Sequence, residues 1–273
     1  LGSLQAIAQE KFALVRALPA DGIAILPADE PLLRPLAETL VCRVVWFGRK
    51  EGQVRLAGPV RFAGLQSGEP MQHFTASVGG HPVAVALPGL GVHLAHNALA
   101  ALAAAWVLGI ELATAAAALQ GYRPVGQRML PARIGPWLVL EDCYNANPRS
   151  TETALDTLAC LPKPRVAVLG EMRELGPTAP ALHQRVGAHA AHSGVDLLVA
   201  VGAVADDYAA GAAGAGKPPE RIVCRVDTAA AAQWLHAHAP RPATLLVKGS
   251  RGAKMEGVLT ALRAAESAAV GGP

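Results

Sequence analysis

The pattern of hydrophobic and polar positions changes about halfway along the chain. Before residue 121, apolar residues at helical spacing flank a middle part in which short apolar runs alternate with Gly and Pro turns. This pattern predicts helices around short, mostly antiparallel strands. The predicted elements are a helix at 4–18 capped by Ser3, strands at 23–26 and 44–47, a helix starting within 28–31, short strands within 53–87, and helices at about 94–107 and 111–120.

After residue 128, apolar runs suited to buried strands alternate strictly with helical patterns. The predicted strands are 137–141, 165–169, 196–201, 221–224 and 243–247, and the predicted helices are 150–160, 179–193, 203–210, 228–238 and 253–265. Strict alternation predicts a parallel sheet covered by helices, and therefore an α/β fold. A Pro/Gly stretch at 121–124 separates the two patterns, so we predict one domain at 1–123 and a second at 124–273.

Composition narrows the possible partners and the compartment. The 273 residues are 52% apolar and 16% charged, which allows a large core and argues against disorder. The net charge of +3 is too small to indicate nucleic acid or an anionic membrane as a partner. The most apolar run, residues 98–110, is too short to span a bilayer. With four cysteines and no Cys-x-x-Cys pair, we expect a cytoplasmic protein without zinc or disulfides.

Charged side chains follow three of the predicted strands in the second half. The segment WLVLEDCYNANPRST, residues 137–151, runs from an apolar strand into a cluster of polar residues. Because parallel sheets bind ligands at the carboxyl ends of their strands, these side chains should line one edge of the sheet. The predicted edge contains Asp142, Glu171, Arg173, Lys248 and Arg251. Such a set suits a small zwitterionic or phosphorylated molecule, and Gly249 and Ser250 add backbone N–H donors for an anion.

Each of these residues also has a purely structural interpretation. Asp142 could cap a turn, and Asn145 and Asn147 tolerate left-handed turn geometry. The glutamates could be solvated, and Lys248 and Arg251 could pair with neighbouring acids. Three histidines, His183, His189 and His192, lie on one predicted helix. No acid completes a metal site with them, so we interpret them as residues of a helix surface.

Seven motifs carry a resemblance to a known family. In chain order they are GSLQAIAQEK, DGIAILPADEP, HNALAA, RPVGQRML, EDCYNANPRS, VLGEMRELG and LLVKGSRGAKME. Along essentially the whole chain this order resembles the Mur ligases, and YNANP with VKGSR is the most specific pair. The resemblance implies a C-terminal Rossmann-like parallel-sheet domain, preceded by the back part of the family's central, ATP-binding α/β domain.

The resemblance also implies a reaction. Within the family, the motifs point to the ligases that add D-Ala-D-Ala to UDP-MurNAc-tripeptide in peptidoglycan synthesis. ATP phosphorylates the terminal carboxylate of the tripeptide, the amine of D-Ala-D-Ala attacks the acyl phosphate, and phosphate leaves. The implied cofactors are ATP and Mg²⁺.

Site residues follow from the resemblance position by position. Lys11 matches the family lysine that becomes carbamylated and helps hold Mg²⁺, and a carbamate supplies the oxygen ligand that this ion prefers. Lys11 and Asp142 are therefore the expected catalytic residues. The expected nucleotide-binding residues are Asn97 near the adenine, Arg128 at the phosphates and Asp142 at the ribose or phosphate. The expected D-Ala-D-Ala-binding residues are Asn145, Asn147, Lys248, Ser250 and Arg251.

The chain departs from the family pattern at three points. No G-x-x-x-x-G-K-[ST] phosphate loop occurs in the 273 residues, so the central domain is expected to be partial and the chain inactive without the N-terminal half of a ligase. Leu94 replaces an asparagine of the family's Gly-x-His-Asn-x-x-Asn motif. Gln127 replaces the glycine of its Pro-Gly-Arg motif. Both replacements predict weaker use of ATP.

Two other functions remain open, and the sequence argues against a third. A non-catalytic ligand-binding fragment would keep the charged edge without phosphoryl transfer. Another Mur-type or a folylpolyglutamate-type ligase would share the architecture. A nucleotide-dependent oxidoreductase would need a G-x-G-x-x-G turn, and the turns at Gly170 and Gly202 lack the later glycines.

Overall fold

The computed structural model describes residues 3–65, 70–123, 126 and 128–270, except for the side chain of residue 270. It contains two compact units. The first comprises Leu1–Ala63, Met71–Pro88 and Val92–Arg123, and the second comprises Pro124–Pro273 with the short segments Gly64–Pro70 and Gly89–Gly91. Within the described part of the chain, no helix is long and apolar enough to cross a membrane.

The first unit is a mixed sheet with helices. Its strands are β1 (Ile23–Pro27), β2 (Arg43–Gly48), β3 (Val54–Leu56), β4 (Arg61–Ala63), β5 (Met71–Val78) and β6 (His81–Pro88), and its helices are α1 (Leu4–Arg16), α2 (Leu33–Ala37), α3 (Val92–Val107) and α4 (Leu112–Leu119). The sheet order is β1-β2-β3-β5-β4, with β6 on β5; the pairs β1–β2 and β2–β3 are parallel and the others antiparallel. Buried side chains of α3 pack with those of the sheet in one core.

Local sequence explains where these helices begin. Ser3 caps α1 as predicted, since its hydroxyl accepts a hydrogen bond from the Ala6 N–H at 3.1 Å. The prediction of a helix starting within 28–31 is wrong, because α2 begins at Leu33 and has five residues. The Asp29 carboxylate instead accepts a hydrogen bond from the Arg49 N–H at 2.9 Å, which holds the residues after β1 in a turn.

The second unit is the predicted parallel sheet covered by helices. Its strands are β7 (Leu130–Ile134), β8 (Trp137–Asp142), β9 (Arg165–Leu169), β10 (Leu197–Val201), β11 (Ile222–Arg225) and β12 (Ala243–Lys248). Its helices are α5 (Pro148–Ala159), α6 (Ala179–His192), α7 (Ala205–Gly214), α8 (Thr228–His238) and α9 (Glu256–Val270). The strand order is β11-β10-β9-β12-β8-β7, and every neighbouring pair from β11 to β8 is parallel.

An antiparallel edge strand was not predicted. β7 pairs with β8, from Leu130 opposite Glu141 to Ile134 opposite Trp137. Its sequence, LPARI, contains a proline and an arginine and therefore lacks the apolar run that marks the other strands. Proline is tolerated at a sheet edge, where one side of the strand needs no partner.

Alternate residues of the central strands fill two separate layers. Val139, Val168, Val199 and Val247 pack on one face with side chains of α8 and α9. The residues between them point to the opposite face, because successive side chains of a strand alternate. Both sets are buried, so the four central strands have no solvated face and their ligand-binding groups lie at their ends.

Candidate functional site

Three loops meet at one edge of the second unit's sheet. β12 lies between β8 and β9, and the register sets Lys248 opposite Asp142 on one side and opposite Leu169 on the other. Because the three strands are parallel, the loops that leave them start side by side. The predicted charged edge is therefore present as a set of adjacent loops.

A buried ion pair joins two of these loops. The Lys248 Nζ atom lies 2.6 Å from the Asp142 Oδ2 atom, and its side chain is 2% exposed. The same ammonium donates a hydrogen bond to the Asn145 carbonyl oxygen at 3.0 Å. Lys248 thus holds the end of β8 and the following turn in place. Its ammonium faces protein groups, as the alternative of pairing with a neighbouring acid predicted.

Ser250 connects all three loops. Its hydroxyl accepts a hydrogen bond from the Arg173 N–H at 2.8 Å and lies 3.2 Å from the Ala146 carbonyl oxygen, to which it donates. Its own N–H donates to the Glu171 carbonyl oxygen at 2.9 Å. Ser250 is 4% exposed, so it supports the edge from within.

Two arginines provide the exposed positive charge at this edge. The Arg173 guanidinium pairs with Glu171, with Nε 2.9 Å from Oε2, and packs over Gly252, where a Cβ atom would overlap the guanidinium. Arg251 is exposed, and its Nη1 atom lies 3.8 Å from the Glu256 carboxylate. Both side chains can reach an anion in solvent, and a guanidinium suits a carboxylate or a phosphate.

The YNANP segment forms a capped turn. The Asn147 side chain accepts a hydrogen bond from the Ser150 N–H at 2.8 Å, and the Ser150 hydroxyl accepts one from the Asn147 N–H at 3.1 Å. This capping box starts α5, with Pro148 at its first position. The alternative of a left-handed turn at Asn147 is wrong, because its backbone is extended, with φ −139°. Asn145 is exposed at the tip of the turn.

Arg128 lies against the same turn. Its guanidinium carbon is 4.4 Å from the centroid of the Tyr144 ring, a cation–π contact between two exposed side chains. Arg128, for which a phosphate contact was predicted, therefore lies next to the turn that follows β8. The neighbouring Gln127 lies outside the described residues.

Cys143 lies in the middle of the edge but is not available as a nucleophile. Its side chain is fully buried, and burial, followed by the nearby carboxylates of Glu141, Glu256 and Asp142, raises the pKa of its thiol to about 12. The thiolate is the reactive form of cysteine. Chemistry at this edge must therefore come from the ionised and amide groups around it.

His183 is a supporting residue that sequence analysis placed wrongly on a helix surface. It is 1% exposed, and its Nε2 atom accepts a hydrogen bond from the Met172 N–H at 3.0 Å. Its Nδ1 atom lies 2.7 Å from the Ala179 carbonyl oxygen, which fixes the neutral tautomer with the proton on Nδ1. The imidazole thereby holds the backbone next to Arg173. Its spacing from Val186 and Ala190, which share the buried face of α6, could have revealed it.

The remaining predicted residues, Lys11 and Asn97, lie in the first unit. Lys11 is exposed on α1, one residue before the buried Phe12. Asn97 is exposed on α3 and lines a cavity of about 220 Å³. The other lining residues are Leu87, Leu94, Ala98, Ala101, Leu119 and Tyr122. Leu94, which replaces the family asparagine, is 9% exposed and also packs into the core of this unit.

The described residues do not form a magnesium site by themselves. Among them there is no group of three or more His, Cys, Asp or Glu side chains arranged to hold a metal ion. Lys11 is a single position that would need carbamylation to supply an oxygen ligand. The magnesium site remains a prediction.

Comparison with protein families identifies the relatives of this chain. Residues 1–105 match the Mur ligase middle domain, and residues 127–251 match the Mur ligase glutamate ligase domain. The chain belongs to the Mur ligase family. This confirms the family resemblance deduced from the seven motifs.

A curated relative and two solved structures agree with this assignment. The UDP-N-acetylmuramoyl-tripeptide–D-alanyl-D-alanine ligase of Escherichia coli (strain K12) is 32% identical over 267 residues, which cover 96% of this chain and 56% of the relative. MurF from Acinetobacter baumannii superposes with a TM-score of 0.84 at 25% identity, covering 96% of this chain and 56% of that one. MurF from Thermotoga maritima, solved in complex with ADP, superposes with a TM-score of 0.83 at 20% identity, covering 98% of this chain and 59% of that one. The chain spans about half the length of the curated relatives it matches.

Proposed function

We propose that this chain is a portion of an ATP-dependent ligase that joins D-Ala-D-Ala to UDP-MurNAc-tripeptide. The observation that carries the proposal is the convergence of Asp142, Asn145, Ser250 and Arg251 at one sheet edge, organised by the buried Lys248. Those positions belong to the motifs on which the resemblance to the Mur ligases rests. The similarity of the chain along 96% of its length to the E. coli ligase supports the same assignment.

The reaction in this proposal has two steps. The terminal carboxylate of the tripeptide attacks the γ-phosphorus of ATP, which gives an acyl phosphate and releases ADP. The amine of D-Ala-D-Ala, after losing a proton, then attacks the acyl carbon. Phosphate leaves with the electron pair of the broken C–O bond, and an amide remains.

The second unit contributes the binding of the incoming dipeptide. Exposed Arg251, with Arg173 beside it, holds the dipeptide carboxylate through charge-assisted hydrogen bonds. The exposed amide of Asn145 faces the ammonium end, and holding the amine near its target lowers the entropic cost of the attack. Asn147 and Lys248 act by fixing this turn. Lys11, Asn97, Arg128 and Asp142 contribute to the nucleotide side.

A non-catalytic binding fragment is the second candidate. The observation that favours it is the lack of a G-x-x-x-x-G-K-[ST] phosphate loop within the 273 residues. Such a fragment would bind D-Ala-D-Ala or a nucleotide but would not transfer a phosphoryl group. The two candidates therefore share their ligands and differ in turnover.

Isothermal titration calorimetry of the 273-residue chain tests the ligand binding that the two candidate functions share. We expect D-Ala-D-Ala and Mg-ADP each to bind in the millimolar range or tighter. Arg251→Ala should weaken the binding of D-Ala-D-Ala several-fold and leave the binding of Mg-ADP unchanged. L-Ala-L-Ala is the control ligand. If neither D-Ala-D-Ala nor Mg-ADP binds at millimolar concentration, both candidate functions are wrong.

A further inference from the structure

The loop that follows β9 is irregular, but its backbone is hydrogen-bonded to buried side chains. The loop comprises residues 170–173. The Gly170 carbonyl oxygen accepts a hydrogen bond from the Tyr208 hydroxyl at 3.0 Å, and the Met172 N–H donates to the His183 Nε2 atom at 3.0 Å. Both side chains are buried. An irregular buried loop needs such partners, because an unpaired backbone group away from water costs as much as a lost hydrogen bond.

Close packing of α6 and α7 brings these two side chains together. The rings of His183 on α6 and Tyr208 on α7 meet edge to face, with centroids 5.0 Å apart and planes at 89°. Glycine permits this approach, since a Cβ atom at Gly187 on α6 would overlap the carbonyl oxygen of Tyr208. The Ala179 carbonyl oxygen, 2.7 Å from Nδ1, fixes the imidazole in turn. The two side chains therefore form one packed support for residues 170–173.

Arg173 is the charged side chain that this support holds at the edge of the sheet. Its N–H donates to the Ser250 hydroxyl at 2.8 Å, and the residue before it is bound by His183. The Arg173 side chain is 54% exposed, and its Nε atom lies 2.9 Å from the Glu171 carboxylate. A guanidinium on a fixed backbone loses less conformational freedom when it binds an anion. Loosening this backbone should therefore weaken anion binding without removing any charge.

We propose that Tyr208 and His183 are positioning residues, which hold the Arg173 guanidinium in place for the carboxylate of the incoming dipeptide. The inference rests on the proposed function, in which Arg173 and Arg251 bind that carboxylate. Tyr208 and His183 are buried, so they act through the backbone of residues 170–173 and do not touch the ligand. Fixing the carboxylate end of the dipeptide also fixes where its amine lies, which lowers the entropic cost of the attack on the acyl carbon.

Calorimetry of conservative variants of the 273-residue chain tests this role. Tyr208→Phe removes the hydroxyl that binds the Gly170 carbonyl oxygen and keeps the ring. It should weaken the binding of D-Ala-D-Ala several-fold and leave the binding of Mg-ADP unchanged. His183→Gln offers a carbonyl oxygen to the Met172 N–H and should keep more of the dipeptide affinity than His183→Leu. His192→Leu, at an exposed position of α6, is the matched control and should bind the dipeptide as the unmodified chain does.

A double-mutant cycle with Arg173→Ala separates positioning from a general effect on the fold. Arg173→Ala alone should weaken dipeptide binding several-fold, and Tyr208→Phe should then add no further loss, because the group it positions is gone. His183→Leu provides the same comparison if Tyr208→Phe does not fold.

Two results of this cycle would overturn the positioning role and leave the proposed function intact. One is an equal loss of dipeptide affinity in both backgrounds, and the other is full affinity in Tyr208→Phe and His183→Leu. Failure of the unmodified chain to bind D-Ala-D-Ala at millimolar concentration would instead overturn the proposed dipeptide site, and the positioning role with it.

Discussion

At the scale of single residues, the buried pair of Lys248 and Asp142 is the most consequential interaction of the candidate site. Removing only the ammonium leaves a carboxylate that is 10% exposed without its partner. Lys248→Met should therefore destabilise the second unit by about 3–5 kcal/mol, the usual cost of breaking a buried ion pair. Urea unfolding of the second unit measures this change.

A double-mutant cycle supplies the control for this pair. Asp142→Asn combined with Lys248→Met removes both charges and should recover part of the lost stability, which gives a coupling of at least about 1 kcal/mol. Lys163→Met is a matched surface change, since Lys163 is 64% exposed and 3.8 Å from Asp196. It should cost less than about 1 kcal/mol. Strictly additive effects of the Asp142 and Lys248 changes would contradict the importance of the pair.

Residue types at the site could be predicted from sequence, but their contacts could not. The position of Asp142 and Lys248 at strand ends was enough to place both at one sheet edge. Their direct pairing depends on β12 lying between β8 and β9, and 106 residues separate them in sequence.

At the scale of elements, the start of α5 is capped by Asn147, which the family resemblance also assigns to D-Ala-D-Ala binding. Asn147→Ala removes the capping hydrogen bond to the Ser150 N–H and should cost about 1 kcal/mol in urea unfolding. Asn147→Ser keeps a capping oxygen and should retain most of that stability.

The Asn147→Ser variant also separates two roles of this position. If Asn147 contacts D-Ala-D-Ala directly, as the family resemblance implies, calorimetry should show weaker dipeptide binding in a stably folded protein. Unchanged dipeptide affinity in Asn147→Ser would restrict Asn147 to its capping role. A loss of stability as large as that of Asn147→Ala would show that serine does not replace the cap.

The close packing of α6 and α7 depends on glycine. A Cβ atom at Gly211 would overlap the carbonyl group of Gln184, whereas a Cβ atom at Gly214 would meet nothing within 4 Å. Gly211→Ala should destabilise the second unit by about 1–3 kcal/mol, because a packed interface must open. Gly214→Ala, on the same helix, should be neutral or stabilising by up to about 1 kcal/mol. Equal melting temperatures for the two variants would contradict this packing.

Elements with a strong hydrophobic pattern were predicted well, and elements with a weak or interrupted pattern were missed. The strand at 165–169 and the helix at 228–238 match β9 and α8 residue for residue, because each is an uninterrupted apolar or helical pattern. β7 was missed because Pro131 and Arg133 interrupt its pattern. The helix predicted from 28–31 failed because Asp29 makes a contact with Arg49 that lies twenty residues away.

At the scale of the whole molecule, the chain combines two units that match two domains of one ligase family. The second unit keeps every predicted strand and carries the charged groups of the candidate site at one end of its buried central strands. The family assignment could be made from seven motifs because their order was preserved along the chain. The substrate and the activity are proposed, because the chain spans about half the length of the curated relatives it matches.

Phosphate release from ATP tests the central proposal most directly. It should be measured for the chain alone, for the chain joined to the N-terminal part of the E. coli relative, and for that joined protein with Asp142→Ala. We predict no turnover by the chain alone and turnover by the joined protein that requires both UDP-MurNAc-tripeptide and D-Ala-D-Ala. Asp142→Ala should reduce that rate at least about 100-fold, a loss of about 2.7 kcal/mol in transition-state stabilisation. Turnover by the chain alone, or a joined protein that is inactive or indifferent to Asp142→Ala, would contradict the proposal.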